Sequence, residues 1–252
     1  MLLKDYNQTF MKFYRELSKV YDIVFPRDDT TLKYLCKNLK GNSKVLDLAC
    51  GTGTYSIALA QRGHRVDGID LGEEMITQAK GKGGLFADFV VGDMTKAKDI
   101  FIGKKYDFVF CIGNSIVHLK NKEKIQQLIK DDYDILIDDG SLVIQIINFD
   151  RVIENNIKSL PRIYRAEKGV EFIRNYNYLE NENKIEFNTE LIISKDGKED
   201  KYENSVDLIA LKMEELKAMF VNAGFKNIDI FGGFNEERYG EDSFALVIKG
   251  VK

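Results

Sequence analysis

The run Val45-Leu46-Asp47-Leu48-Ala49-Cys50-Gly51-Thr52-Gly53-Thr54 decides the fold. A short apolar segment passes into Gly-x-Gly and then into a helix-like stretch over residues 54–62. Working outward, the alternation repeats: residues 64–70 read as a strand, 73–80 as a helix, and 86–91 and 108–112 as further strands. Residues 122–137 carry a helical pattern, Gly140 punctuates it, and 141–148 form a fifth strand. Short apolar strands alternating with helices predict a mostly parallel sheet covered on both faces, an α/β doubly wound fold. Upstream, Phe10, Phe13, Tyr14, Leu17, Val20 and Tyr21 recur at helical steps, Pro26 breaks the chain, and Asp28 opens a second helix to about Leu39. Residues 1–40 are therefore expected to be N-terminal helices.

Beyond Asp150 the period changes to two. Val170, Phe172, Arg174, Tyr176 and Tyr178 alternate with polar residues, as do Ile185, Phe187, Thr189, Leu191 and Ile193. Turn signals at 180–183 and Asp196-Gly197 separate these stretches. Residues 151–207 are thus an antiparallel insertion after the fifth strand, with strands near 170–179, 184–194 and 200–208. The main fold, 41–150, resumes over 208–252 with a helix at 212–223, Gly224 as its stop, and strands at 226–231 and 243–249. The expected main sheet has seven strands.

Composition excludes several classes. The 252 residues carry 37 Lys+Arg against 40 Asp+Glu, a net charge of −3, which gives no footprint for nucleic acid or an anionic membrane. Lys120, Lys122 and Lys124 are interleaved with Glu123, and read as a solvated helix face. Three scattered cysteines without Cys-x-x-Cys and two histidines argue against a disulfide framework or a metal centre. The start, Met1-Leu2-Leu3-Lys4-Asp5, lacks the pattern of a secretory signal. The longest uncharged stretch, 108–119, is well short of the ~18–20 residues of a membrane span. The expectation is a soluble, cytoplasmic protein with a small-molecule partner; oligomeric state is not legible.

The Gly-x-Gly loop brings backbone N–H groups and a helix start to a ligand. Ser56 stands where a dinucleotide fingerprint has its third glycine. Asp70 ends the next strand, 19 residues beyond Gly51, suited to accept from both hydroxyls of a ribose. That spacing serves nicotinamide and S-adenosylmethionine cofactors alike. Two further features separate them: Val90-Val91-Gly92-Asp93-Met94, with an acid placed for an adenine amino group, and a fourth strand opening into Gly113-Asn114-Ser115-Ile116-Val117-His118-Leu119.

This ordered set resembles the class I S-adenosylmethionine-dependent methyltransferases over about residues 40–150. Gly-Asn-Ser-x-x-His-Leu at 113–119, followed by Asn148-Phe149-Asp150, is similar to the glycine/sarcosine N-methyltransferase branch. The resemblance implies S-adenosyl-L-methionine as cofactor, S-adenosyl-L-homocysteine as product, no metal, and in-line transfer to a small acceptor such as an amine. It assigns the cofactor to Tyr21, Arg27, Ala49, Gly51, Gly53, Asp70, Met75, Asp93, Met94, Cys111 and Asn114. It assigns catalysis to Asn114 and His118, and makes the N-terminal helices a cover and the insertion a substrate lid. Simpler readings stand beside these: Tyr21 as a core aromatic, Asp93 as a turn cap, His118 as a loop histidine, and Cys50 and Cys111 as packing residues. Asp47 is structural or a neighbour of the cofactor's ammonium group.

One departure matters. The branch carries an arginine for the acceptor's carboxylate immediately before this triplet, and here the position is Ile147. An unpaired buried carboxylate is expensive, so a free α-amino acid held in that manner is not expected. Arg162, Arg165 and Arg174 are alternative cations, and Phe172, Tyr176, Tyr178 and Phe187 can wall a less polar pocket. Two rivals remain: a non-catalytic protein that binds the cofactor, and a nicotinamide-dependent dehydrogenase, which Ser56 disfavours.

Overall fold

The computed structural model describes residues 2–83 and 85–252, with side chains described from Lys12 onward, so Phe10 of the N-terminal pattern lies outside the described side chains. The chain divides into two compact units, residues 27–151 with 211–252, and residues 1–26 with 152–210.

The first unit is built on a seven-stranded sheet. Its elements are α2 (Asp29–Lys37), β1 (Lys44–Leu48), α3 (Thr54–Ala60), β2 (Arg65–Asp70), α4 (Glu73–Gly83), β3 (Ala87–Val91), α5 (Ala97–Ile100), β4 (Tyr106–Cys111), α6 (Lys122–Ile135), β5 (Leu136–Ile147) and α7 (Phe149–Glu154). After the insertion come α8 (Met213–Ala223), β10 (Lys226–Phe231) and β11 (Ala245–Val251). The strand order is β10-β11-β5-β4-β1-β2-β3. β1 to β5 are parallel, while β11 runs antiparallel to both β5 and β10. The expected α/β doubly wound sheet is what the chain forms.

Burial explains the apolar runs. Val45, Leu46 and Leu48 of β1, and Phe108, Val109 and Phe110 of β4, are buried on both sheet faces. Leu32 and Leu35 of α2, Ala58 and Leu59 of α3, and Ile76 and Ala79 of α4 pack onto one of them. Asp28 caps α2, its Oδ2 accepting from the Thr31 N–H at 2.6 Å and the Thr31 hydroxyl at 2.7 Å. On α6 the apolar stripe Ile125, Leu128, Ile129 and Ile135 is buried, while Lys122 on its exposed side pairs with Glu215 of α8.

The second unit joins α1 (Leu2–Val24) to a four-stranded antiparallel sheet, β6 (Ile163–Arg165), β7 (Val170–Leu179), β8 (Lys184–Lys195) and β9 (Lys198–Ile209). Phe13, Leu17 and Val24 form the buried seam of α1 and pack with Val170, Phe172 and Leu191. The β8–β9 turn is Asp196-Gly197, both with positive φ (51° and 73°), as a two-residue hairpin requires.

The chain's compact units divide at Pro26, so α1 groups with the insertion and α2 with the main sheet. The insertion also has a fourth strand, β6, which pairs antiparallel with β7 from Ile163 opposite Phe172 to Arg165 opposite Val170. Among the described residues, no helix is long and apolar enough to cross a membrane.

Candidate functional site

Register brings the chemistry-bearing loops to one edge of the main sheet. Leu48 at the end of β1 pairs with Ile69 of β2 and with Cys111 of β4, and Asp70 pairs with Val91 of β3. The residues that follow these strand ends, Ala49–Gly53, Leu71–Gly72, Gly92–Met94 and Ile112–Asn114, therefore share the carboxyl-end edge. β1 also lies at the switch point of the strand order, between β4 and β2. In open α/β sheets this is where a ligand crevice forms.

The first loop is held in an unusual backbone path. Ala49, Gly51 and Gly53 have φ of 59°, 54° and 75°, and Gly53 opens α3. A Cβ on Gly53 would stand 2.7 Å from Phe89 Cζ and 3.1 Å from Ala79 Cβ. Only glycine fits both the torsion and the space. The result is a bare backbone cradle at a helix start, built for close approach of a ligand.

Asp70 braces this cradle. The Gly51 N–H donates to its Oδ2 and the Gly72 N–H to its Oδ1, both at 2.8 Å. Burial pushes its carboxyl above the ordinary value, against the opposing pull of the two amides. The Gly92 N–H donates to the Asp70 carbonyl at 2.9 Å, which sets Asp93 beside it along the edge. Met75 is buried in the first turns of α4, next to Gly72, and Met94 is half-buried after Asp93. Asp93 caps the short turn Met94–Lys96, its Oδ1 accepting from the Thr95 N–H and hydroxyl at 2.8 Å each. The capping role is thus real, and Oδ2 is left toward solvent.

Asp47 is buried beneath the cradle and accepts from the Ser56 hydroxyl at 2.6 Å. Ser56 was legible only as a missing glycine; its hydrogen bond is the role the sequence pattern hid. Burial first, and the Asp70 charge in addition, push the Asp47 carboxyl up to about 8 against the Ser56 hydrogen bond. A carboxyl raised above its unfolded value of about 3.9 stabilises the fold fully below that value and loses the contribution as pH rises through about 8. The ligand-free protein should therefore lose Tm between pH 5 and pH 8. Asp47→Asn, which keeps an acceptor for Ser56, should flatten that slope. A thermal-melt series in which both proteins show the same pH dependence would refute the assignment.

The loop after β4 is tied to β5. The Gly113 N–H donates to Gln145 Oε1 at 2.8 Å, and the Ile147 N–H donates to Asn114 Oδ1 at 3.0 Å. Asn114 is buried and holds φ at 69°, which asparagine tolerates better than most residues. Its carbonyl is thus committed to the backbone of β5, and its amide nitrogen is the group left for a ligand. His118 closes the same short turn. Burial of the ring pushes its pKa down to about 4, so the imidazole is neutral at pH 7. Cys111 is buried, and burial pushes its thiol up, as it does for Cys50, so neither is a ready thiolate.

The triplet 148–150 is occupied by packing. Asn148 Nδ2 donates to the carbonyls of Ser243 at 3.0 Å and Gly240 at 3.2 Å. The Tyr239 hydroxyl lies 2.7 Å from Asn148 Oδ1 and 2.9 Å from Asp150 Oδ2, and Asp150 also accepts from the Met213 N–H at 2.9 Å. This network fastens the two points where the chain leaves and re-enters the main unit.

Next to Arg27, the Asp28 N–H donates to the hydroxyl of Tyr55 in the first turn of α3 at 3.1 Å. Arg27 is exposed, with its Nε 3.6 Å from Asp29 Oδ1. Tyr21 belongs to the second unit, where its ring stacks on Phe25 at 5.1 Å. Phe172 in that unit packs on Phe13 and Phe25, and Tyr176 on Phe187 at 5.3 Å. Of the insertion arginines, Arg162 is neutralised by Glu171, Arg165 donates to the Ile23 carbonyl, and Arg174 donates to the Pro161 carbonyl.

The donor set fits a cationic nucleoside cofactor: a bare glycine cradle a Cβ would fill, and the carboxyls of Asp47, Asp70 and Asp93 along one sheet edge. Residues 45–140 match the family model described as a methyltransferase domain. The chain is 26% identical over 206 residues to the glycine/sarcosine/dimethylglycine N-methyltransferase of Actinopolyspora halophila, covering 81% of this chain but 34% of that protein. It is 25% identical over 221 residues to the glycine/sarcosine N-methyltransferase of Aphanothece halophytica, covering 86% and 79%. In fold it is similar to an S-adenosylmethionine-dependent methyltransferase from Clostridium acetobutylicum, with a TM-score of 0.77 at 15% identity over 94% of this chain and 98% of that one.

Proposed function

We propose, for a chain that belongs to the class I S-adenosylmethionine-dependent methyltransferases, that the methyl acceptor is a small-molecule amine. The observation that carries this reading is the placement of His118, which closes the short turn that opens at Asn114 after β4. A neutral imidazole adds no positive charge beside the sulfonium and can accept a hydrogen bond from an amine that arrives neutral, with its lone pair free to attack. The N-methyltransferase names of the two relatives support the same class.

When bound, S-adenosylmethionine supplies a methyl group on a cationic sulfonium. The chain's own work is to position and to exclude water. Gly51 and Gly53 receive the cofactor on bare backbone, with Ala49, Met75, Met94 and Cys111 as its apolar surroundings. Asp70 accepts from the ribose hydroxyls, Asp93 Oδ2 from the adenine amino group, and Asp47, raised to about 8 in the ligand-free protein, ionises against the ammonium group as that positive charge draws its carboxyl back down. Tyr21 and Arg27 are proposed as further cofactor contacts, and the insertion as the element that selects the acceptor. Asn114 Nδ2 orients the reacting groups, and the neutral His118 imidazole accepts a hydrogen bond from the amine.

Asn114→Asp isolates that role. It keeps the acceptor for the Ile147 N–H and tolerance of φ near 69°, but removes the amide donor. Turnover is expected to fall at least tenfold, the value of about 1.4 kcal/mol of hydrogen bonding, measured at a pH and temperature where the melt shows the variant folded, since a buried carboxyl also costs stability. Asn114→Ala would lose both turnover and stability. Wild-type turnover in Asn114→Asp would remove the amide from the mechanism.

Ile147 places no cation at the end of β5, so apolar amines are expected to outperform glycine and sarcosine. A panel of glycine, sarcosine, apolar amines and hydroxylated aromatics, read by S-adenosylhomocysteine release, tests this. Methylation of phenols alone would overturn the amine reading. Glycine turnover with kcat/KM above ~10⁴ M⁻¹s⁻¹ would show that an arginine at position 147 is not required.

A further inference from the structure

The opposite edge of the main sheet also carries a concavity. The amino ends of β1, β2, β3 and β4 enclose a cavity of about 630 Å³, within the ~300–1,000 Å³ range of small-molecule sites. It lies at the other end of the strands from the crevice described above, so the proposed cofactor residues do not line it.

Its lining is cationic in a chain that is acidic overall. Lys44, Arg65, Lys104 and Lys105 face two acids, Asp67 and Asp88, whereas the whole chain has a net charge of −3. One of these cations is spent: Lys104 Nζ holds both Asp67 oxygens at 2.8 and 2.9 Å, and the Tyr106 hydroxyl donates to the same carboxylate at 2.7 Å. Lys105 Nζ donates to the backbone carbonyl of Asp134, which leaves its charge uncompensated. The Arg65 guanidinium and the Lys44 ammonium meet no acceptor among the described residues. His64 also lines the cavity, with its Nδ1 buried out of reach and a backbone hydrogen bond to Gly41.

The rest of the wall is apolar and open. Leu85 is 97% exposed and Phe86 52% exposed, beside the buried Val66 and Ala87. Single exposed apolar residues need no explanation. Two adjacent ones at the mouth of a cavity with unpaired cations offer a flat apolar body something to cover while its charge is neutralised.

We propose that this cavity is a second ligand site, which takes a small organic anion: a carboxylate or phosphate carried on a flat apolar body. Arg65 and Lys44 hold the anionic group, and Phe86 and Leu85 cover the apolar part. The proposal is independent of the amine reading, because none of these residues belongs to the crevice.

Isothermal titration of the full chain with 1-naphthoate, 1-naphthyl phosphate and the neutral 1-naphthylmethanol tests it. At least one anionic probe should bind with a Kd below about 1 mM, and the neutral probe roughly tenfold or more weaker, the value of one charge-assisted contact. Comparison of the two anions tells carboxylate from phosphate recognition. The double variant Lys44→Gln/Arg65→Gln should lose at least tenfold in affinity for the anions. S-adenosylhomocysteine should bind wild type and variant alike and should not displace the probe. Equal binding of the neutral probe, unchanged affinity in the double variant, displacement by S-adenosylhomocysteine, or no binding of either anion would each overturn the proposal. Failure of S-adenosylhomocysteine to bind the wild type would instead count against the cofactor assignment and leave the probe comparison readable.

Discussion

Gly53→Ala is expected to lower affinity for S-adenosylhomocysteine by roughly 100-fold or more. Two costs add at this position. A non-glycine residue at φ 75° carries a penalty of ~1–2 kcal/mol. The new methyl would also meet Phe89 Cζ at 2.7 Å, and overpacking of this kind costs ~1–3 kcal/mol. The loop can relieve both only by moving off the N-terminus of α3, which withdraws the cradle from the ligand. Together these reach the ~2.8 kcal/mol that corresponds to 100-fold. The double variant Gly53→Ala/Phe89→Leu separates the terms, since it relieves the contact and leaves the torsion. It should recover part of the affinity and no more. Titration calorimetry giving wild-type affinity for Gly53→Ala would remove this loop from the cofactor site.

How much of this was legible depended on the range of the interaction. β1 and β4 were readable because a strand buried on both faces must be a continuous apolar run. Asp28 before α2 and Asp196-Gly197 between β8 and β9 announced themselves through chemistry that acts within three residues. β6, at three residues, is too short to show a period, and it exists through backbone pairing with β7, which begins five residues further on. The boundary between α6 and β5 was misjudged for a related reason. Gly140 looked like the stop between helix and strand, yet the helix ends at Ile135 and Gly140 lies within β5. Its missing side chain is needed there, since a Cβ would stand 2.8 Å from the Ile137 carbonyl and 3.2 Å from that of Asp107.

Partnership was less legible than pattern. The periodicity of α1 showed an apolar face without showing that Phe172 and Leu191 would cover it. At the site, Asp70 and the glycines were visible because their spacing follows from the strand–loop–helix unit itself. The commitments of the neighbouring residues were not. Asn148 and Asp150 are engaged by Tyr239, 91 and 89 residues away, and Asn114 by the backbone of Ile147, 33 residues away. A motif identifies which residues share a loop, and long-range hydrogen bonds decide which of their atoms remain available to a ligand.

That distinction sets the expected result at Asp70. Its two oxygens already accept the N–H groups of Gly51 and Gly72 at 2.8 Å, and each keeps a second lone pair for a ribose hydroxyl. Asp70→Ala removes the ribose acceptors and leaves two loop N–H groups unpaired. The first loss is worth about 1.5–3 kcal/mol, and the second loosens the cradle itself, so affinity for S-adenosylhomocysteine should fall by roughly 100-fold or more. Asp70→Asn should fare little better, because one end of the amide would present a donor to a donor. The acid form offers a pH test with a definite sign. Burial raises the Asp70 carboxyl above its ordinary value, and its protonation removes an acceptor, so affinity should decline on acidification from a higher pH than an ordinary carboxylate would produce. Calorimetric titrations between pH 4 and pH 8 read both effects. An Asp70→Ala variant that binds as tightly as wild type, with the same pH profile, would place the ribose elsewhere and leave Asp70 as a brace for the loop alone.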